Sequence, residues 1–210
     1  MATHRSLKVL TLGLAFTMTA LPAVAVPVAV SYTCQADTKF GHQHFSLRQG
    51  VGASAPAVVK PGALFEIVVK ADAGSLPGEV KGFKVKEVRD LSLRVPIPTN
   101  SRYVSATLSG GSGLGSTPSV EATNGVVTLK VAGPIPGGAG YQLPSLTLKL
   151  RAARSGAIET RLQGTSFDNP GLNLRATIKW KFVTIKSAVA CYPDPNTPLT
   201  HTDIRAVSRR

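Results

Sequence analysis

The sequence predicts an all-β protein, an antiparallel β-sandwich of immunoglobulin-like or jelly-roll-like type with about eight to ten strands and one terminal disulfide. Three observations carry that prediction. Apolar and polar residues alternate with a period of two along most of the chain, as on a strand with one wet face. The turn signals Lys60-Pro61-Gly62, Leu76-Pro77-Gly78, Asn124-Gly125, Pro136-Gly137-Gly138 and Asn169-Pro170-Gly171 fall between the alternating runs, and beyond the N-terminal leader no window longer than three turns keeps helical spacing. The two cysteines, Cys34 and Cys191, flank nearly the whole of that text. A chain of 210 residues that is 43% hydrophobic is long and apolar enough for a core of its own, which excludes a disordered chain and a disulfide miniprotein. With 6% aromatic residues and one Trp, it has little from which to build a base-stacking platform or an aromatic sugar groove.

The elements follow in order. Met1–Lys8 carries His4, Arg5 and Lys8 without an acid, and the apolar run Val9–Ala20 leads into Leu21-Pro22-Ala23-Val24-Ala25, an A-x-A cleavage pattern. That run falls short of the roughly 20 residues a spanning helix needs. Residues 1–25 therefore read as a signal peptide, and the mature chain is expected to be secreted, with no transmembrane segment. Strands are predicted over Val28–Cys34, His42–Arg48, Leu64–Lys70, Phe83–Val95, Tyr103–Leu108, Val127–Val131, Leu146–Arg151 and Ala157–Leu162. In the fourth of these the apolar phase slips around Glu87 and again around Asp90, which calls for bulges or a short turn. The longest run, Leu172, Leu174, Ala176, Ile178, Trp180 and Phe182, alternates with polar residues and cations and predicts one half-buried strand over 172–182. Pro96, Pro98, Pro118 and Pro144 mark strand starts or edges, because proline cannot donate to a ladder.

Outside the cytoplasm Cys34 and Cys191 are expected to pair. The first and last strands would then lie side by side, with residues 26–192 a single β-sandwich domain. Closing a loop of that length is worth at most about 5 kcal/mol on the chain-entropy model. Residues 193–210, opening with Pro193-Asp194-Pro195-Asn196-Thr197-Pro198, are expected to form an extended or disordered basic tail carrying Arg205, Arg209 and Arg210.

Catalytic and metal chemistry find little support. His42-Gln43-His44 on a strand places two imidazoles on one face about 7 Å apart. A metal would need a third ligand, and Phe45-Ser46-Leu47-Arg48-Gln49 offers none, so an exposed strand face is expected and no metal or cofactor. Ser109-Gly110-Gly111-Ser112-Gly113-Leu114-Gly115-Ser116 lacks the Lys-Ser/Thr ending of a phosphate loop, the G-x-G-x-x-G fingerprint and the G-x-S-x-G elbow. It reads as a mobile loop at one end of the sandwich, with Ser109, Gly111, Gly113, Leu114 and Gly115 as a candidate binding loop. The scattered carboxylates nominate no acid–base pair, so no enzyme is expected; the alternatives are a small hydrolase or cyclase using His42 or His44, and a carrier for an apolar ligand.

The formal charge is +13, from 24 Lys and Arg against 11 Asp and Glu, and the leader takes away only Arg5 and Lys8. Such a protein gathers at anionic surfaces. The candidate binding surface is a basic stripe of Lys149, Arg151, Arg175, Lys179 and Lys181. The expected partner is an anionic envelope polymer, lipid headgroups or another envelope protein, engaged by a monomer outside the cell; export argues against nucleic acid. The chain also resembles a group of small secreted actinobacterial proteins. The likeness rests on Tyr32-Thr33-Cys34, Val88-Arg89-Asp90-Leu91-Ser92-Leu93 with Pro96-Ile97-Pro98, Leu108–Gly115, Gly133-Pro134-Ile135-Pro136-Gly137-Gly138 and Cys191-Tyr192-Pro193. The resemblance implies one exported β-domain with a terminal disulfide, in a group whose biochemical role is not established and of which some members carry labels such as cyclase or dehydratase.

Overall fold

The computed structural model describes residues 28–39 and 41–206, so the predicted signal peptide, Arg209 and Arg210 lie outside the described residues. The described chain is all strand and turn. In chain order the strands are β1 (Val28–Thr38), β2 (Gly41–Ser54), β3 (Val58–Val59), β4 (Leu64–Ala71), β5 (Gly74–Ser75), β6 (Glu79–Val80), β7 (Phe83–Pro96), β8 (Ser101–Ser109) and β9 (Ser119–Thr123). There follow β10 (Val126–Val131), β11 (Ile135–Pro136), β12 (Gly140–Tyr141), β13 (Ser145–Ala152), β14 (Gly156–Thr160), β15 (Leu172–Trp180), β16 (Val183–Pro193) and β17 (Thr200–Ile204).

One large sheet runs β8-β13-β4-β2-β1-β16-β15-β7-β10-β9, with β6 and β11 also paired to β7. It curls until its end strands β8 and β9 lie against each other without hydrogen bonding, a sandwich that is nearly a barrel. Two small sheets, β12-β5 and β14-β17-β3, complete the structure. The alternation explains the curl. Leu146, Leu148 and Leu150 of β13, Val127, Leu129 and Val131 of β10, and Phe65, Ile67 and Val69 of β4 all turn inward into one core, while their neighbours face water.

The phase slips of β7 are two bulges. Thr177 pairs with Glu87 and Ile178 with Val85, which leaves Lys86 without an opposite residue; Asn173 pairs with Ser92 and Arg175 with Arg89, and between them Asp90 takes φ 50°. Pro118 and Pro144 immediately precede β9 and β13, and Pro96 closes β7.

Three expectations need correcting. The strand predicted over 172–182 stops at Trp180: Lys181 adopts φ 52°, Phe182 sits on the tip, and the chain returns as β16. The predicted tail is part of the domain, because β17 pairs antiparallel with β14 and parallel with β3, burying Thr202 and Ile204. The loop at 109–116, expected to be mobile, is anchored by Leu114 and by backbone pairing, as described below. Cys34 and Cys191 do form the expected disulfide, from directly opposite positions on β1 and β16; the partner of the first strand is thus the last but one, since β17 follows it.

Candidate functional site

The nominated basic residues do not share one stripe. Lys149 and Arg151 stand on β13 and Arg175 and Lys179 on β15, with β4, β2, β1 and β16 between them. Lys149 faces Glu66 across the β13–β4 pair, and Arg151 donates to the Gly62 carbonyl at 3.0 Å. Arg175 lies 3.7 Å from Asp90, beside the Arg89–Glu87 ion pair at 2.9 Å. Among the five, only Lys179 and Lys181 reach one end of the molecule together.

The glycine-rich loop is tied down, although Ser109, Gly111, Gly113 and Gly115 stay exposed. Leu114 is buried, Ser112 and Gln142 exchange backbone hydrogen bonds at 2.9 and 3.0 Å, and at Gly115, with φ 66°, a Cβ would collide with the Pro134 carbonyl. The glycines there serve close backbone approach. His42 and His44 point outward from β2, away from the core and from the groove described below. His42 Nδ1 lies 2.7 Å from Asp37 on β1, and the His44 ring packs 5.3 Å from Phe167, which in turn meets Tyr192 edge-on at 5.2 Å. Hydrogen bonds from His42 and then from Gln35 hold the exposed Asp37 carboxyl below the usual carboxylate range. Among the described residues no group of three metal-ligating side chains occurs.

The end that Lys179 and Lys181 reach has a distinct chemistry. The register places the β15–β16 turn (181–182), the β6–β7 turn (81–82) and the β1–β2 turn after Thr38 at the same end of the sheet. Each turn reads as lysine with phenylalanine: Lys39-Phe40, Lys81-Gly82-Phe83 and Lys181-Phe182, of which Phe40 lies outside the described residues. Phe182 is 98% exposed, and Trp180 and Val183 beside it are each 38% exposed. Trp180 packs 6.1 Å from Phe83, and the Lys181 ammonium lies 5.1 Å from the Trp180 ring. On the outer face Lys179 stands directly opposite Lys84, a like-charge pairing that opposes folding and that a bound anion would relieve. The cations near these turns are Lys39, Lys81, Lys84, Lys179 and Lys181, against Asp37 and Glu79.

Behind the tip the inner face of the same strands forms an apolar groove. Its floor is Phe45 and Leu47 of β2, Leu174, Ala176 and Ile178 of β15, Val85 and Val88 of β7 and Val189 of β16. Leu76, Pro77, Val80 and Lys81 cross over it as a strap, and Lys81 ties the strap to the far wall by donating to the His44 carbonyl at 2.6 Å. Exposure rises toward the tip, from buried Val88 and Val189 through half-buried Ile178 and Phe83 to Trp180 and Phe182. At its inner end the groove shares Leu47, Leu76, Pro77 and Leu174 with a smaller void of about 60 Å³ that reaches Tyr32 and Tyr141, whose phenols burial pushes up. The aromatic tip and the groove escape a reading of the sequence. The one available signal is the repetition of lysine with phenylalanine at three turns, which becomes meaningful only once those turns are known to converge.

Comparison with known proteins supports the fold. No family model and no curated protein matches the chain. The crystal structure of a "Putative membrane anchored protein" from Corynebacterium diphtheriae, an actinobacterium, superposes with a TM-score of 0.59 at 15% identity, over 87% of this chain and 38% of that one. The chain thus spans well under half the length of that protein, and the likeness is one of fold. No helix among the described residues is long and apolar enough to cross a membrane.

Proposed function

We propose that this protein is exported and, without catalysing a reaction, works at the cell envelope by docking the end built from residues 80–83 and 179–184 onto an anionic lipid surface. The observation that carries the reading is the fully exposed Phe182, set with Trp180 and Val183 among Lys84, Lys179 and Lys181. Aromatic rings partition to the boundary between headgroups and acyl chains, and lysines beside them meet lipid phosphates, each worth about 1 kcal/mol near an anionic surface. Burying the Phe182 ring adds about 1.5–3 kcal/mol. The basic charge of the whole chain draws the protein to such a surface, and the name of the corynebacterial fold neighbour is in keeping with a place at a membrane.

Vesicle cosedimentation tests this. The oxidised protein is expected to bind phosphatidylglycerol vesicles, to bind phosphatidylcholine vesicles far less, and to be released as salt rises. Phe182→Ala should weaken binding roughly tenfold, in line with the loss of about 1.4 kcal/mol or more of burial, and Lys179→Glu with Lys181→Glu should weaken it further. Equal binding to both vesicle types, or binding indifferent to these substitutions, would overturn the reading; retention on purified wall polymer with none on vesicles would assign the basic surface to that polymer.

A further inference from the structure

We infer that the groove beneath the 76–81 strap takes the acyl chain of an anionic amphiphile, with the headgroup held among the lysines of the tip. The inference rests on the lipid-surface reading above and names what the protein would take from that surface.

Shape and wall chemistry come first. The groove is lined by side chains that offer an occupant no charge along its floor: Phe45, Leu47, Val85, Leu174, Ile178 and Val189. Gln43, Thr38 and Ser187 are its polar side chains besides Lys81, and Ser187 already donates to the Asp37 carbonyl at 2.8 Å. From Leu174 to Ile178 the floor runs four residues along one strand, about 13 Å at the rise of a β-strand, the span of an extended chain on the order of ten carbons. A slot of that length suits an extended chain.

Charge at the mouth decides which chain. A neutral hydrocarbon would need nothing from the tip, whereas Lys81 stands in the rim of the groove itself, Lys181 lies on the β15–β16 turn beyond it, and Lys84 and Lys179 add their charge from the outer face of the same strands. The nearest acid on the strap side, Glu79, faces Lys84 across the β6–β7 pair. A carboxylate or phosphate at the mouth would meet Lys81 and Lys181 while its chain lay against leucine, valine and phenylalanine. The aromatic pair Phe83–Trp180 sits where a headgroup meets its chain, the depth at which such rings are favoured in a bilayer. The strap is tied at both ends, by Leu76 to Ala139 and Gly138, by the β6–β7 pair and Gly78, and by the Lys81 contact to the His44 carbonyl, so the groove keeps its roof and a chain enters from the tip.

The test uses the full mature protein with its disulfide intact, and the probes are 11-(dansylamino)undecanoate and dodecanoate below their micelle concentrations. Saturable dansyl fluorescence is expected, displaced by dodecanoate and not by butyrate. Dodecanoate should shift the methyl NMR signals of Val85, Leu174, Ile178 and Val189 and leave those of Leu148 and Val127, deep in the core, unmoved. Ala176→Phe, which fills the floor, should weaken probe binding at least tenfold while leaving phosphatidylglycerol vesicle binding in place, and Phe182→Ala should do the reverse. Absence of saturable probe binding, or methyl shifts confined to other regions, would overturn the inference even where vesicle binding holds. Loss of vesicle binding with probe binding intact would overturn the docking function alone. If Ala176→Phe does not fold, the methyl shifts of the unsubstituted protein decide.

Discussion

A phenylalanine as wet in the native state as in the unfolded chain contributes almost nothing to folding. Phe182→Ala should therefore leave stability within about 0.5 kcal/mol of the parent, whereas Leu148→Ala, at a fully buried position of β13, should cost about 2–5 kcal/mol. Urea unfolding of the two variants checks the contrast, and a large loss for Phe182→Ala would mean that the ring is covered. Three carboxylates at the surface provide a second prediction. Asp37 is held low by His42 and Gln35, Glu87 chiefly by Arg89, and Glu159 chiefly by Arg161. A carboxyl whose folded value lies below its unfolded one contributes stability that is present above the unfolded value and lost as pH falls through the folded value. Stability is thus expected to decline as acid is added below about pH 4, and carboxyl-carbon NMR should find these three groups titrating below the usual carboxylate range. Asp37 and Glu159 are exposed and Glu87 is partly so, and the slope should be shallow.

At the scale of elements, much of the sheet could be read in advance, and the exceptions have physical causes. β10 and β13 are visible because leucine and valine alternate with polar residues over a buried core, and the β7 bulges because a bulge shifts the apolar phase in plain view. β16 is harder to see: Ser187, Ala188 and Ala190 interrupt its contrast, and its inward Ile185, Val189 and Cys191 make sense only against β1 and β15. β17 is formed by partners on β14 and β3 that are far away in the chain, and its one signal is the pair Thr202 and Ile204 after a run of prolines. The tip was hidden for a different reason. Alternation states which face a residue takes and not where the sheet stops, so Trp180 and Phe182 look buried in the text and emerge into solvent in the fold. The anchored loop at 109–116 leads to a prediction at this scale. Gly115→Ala should destabilise the protein by about 1–3 kcal/mol, since the residue must hold φ 66° against the Pro134 carbonyl, and thermal unfolding would show it; a neutral substitution would mean that the loop gives way freely.

For the whole molecule, the expectation is a chain that begins at Val26 and lacks two hydrogens, recovered from the envelope or medium of its source and weighed intact. Reduction of Cys34–Cys191, which spans 157 positions, should lower stability by up to about 5 kcal/mol. A smaller loss measures how far the reduced, unfolded chain already keeps its ends together. The place of that bond in the sheet has a mechanical consequence. The ten strands of the main path end at β8 and β9, which touch without pairing, and the disulfide joins β1 to β16, the two strands at the centre of the path. The molecule is a slit tube with a covalent spine opposite the slit. A slit tube resists bending nearly as well as a closed one and resists torsion far less, so its two halves can slide past each other along the slit while the spine stays fixed. The groove and the tip straddle the spine, on the stiff side of the tube and away from the slit.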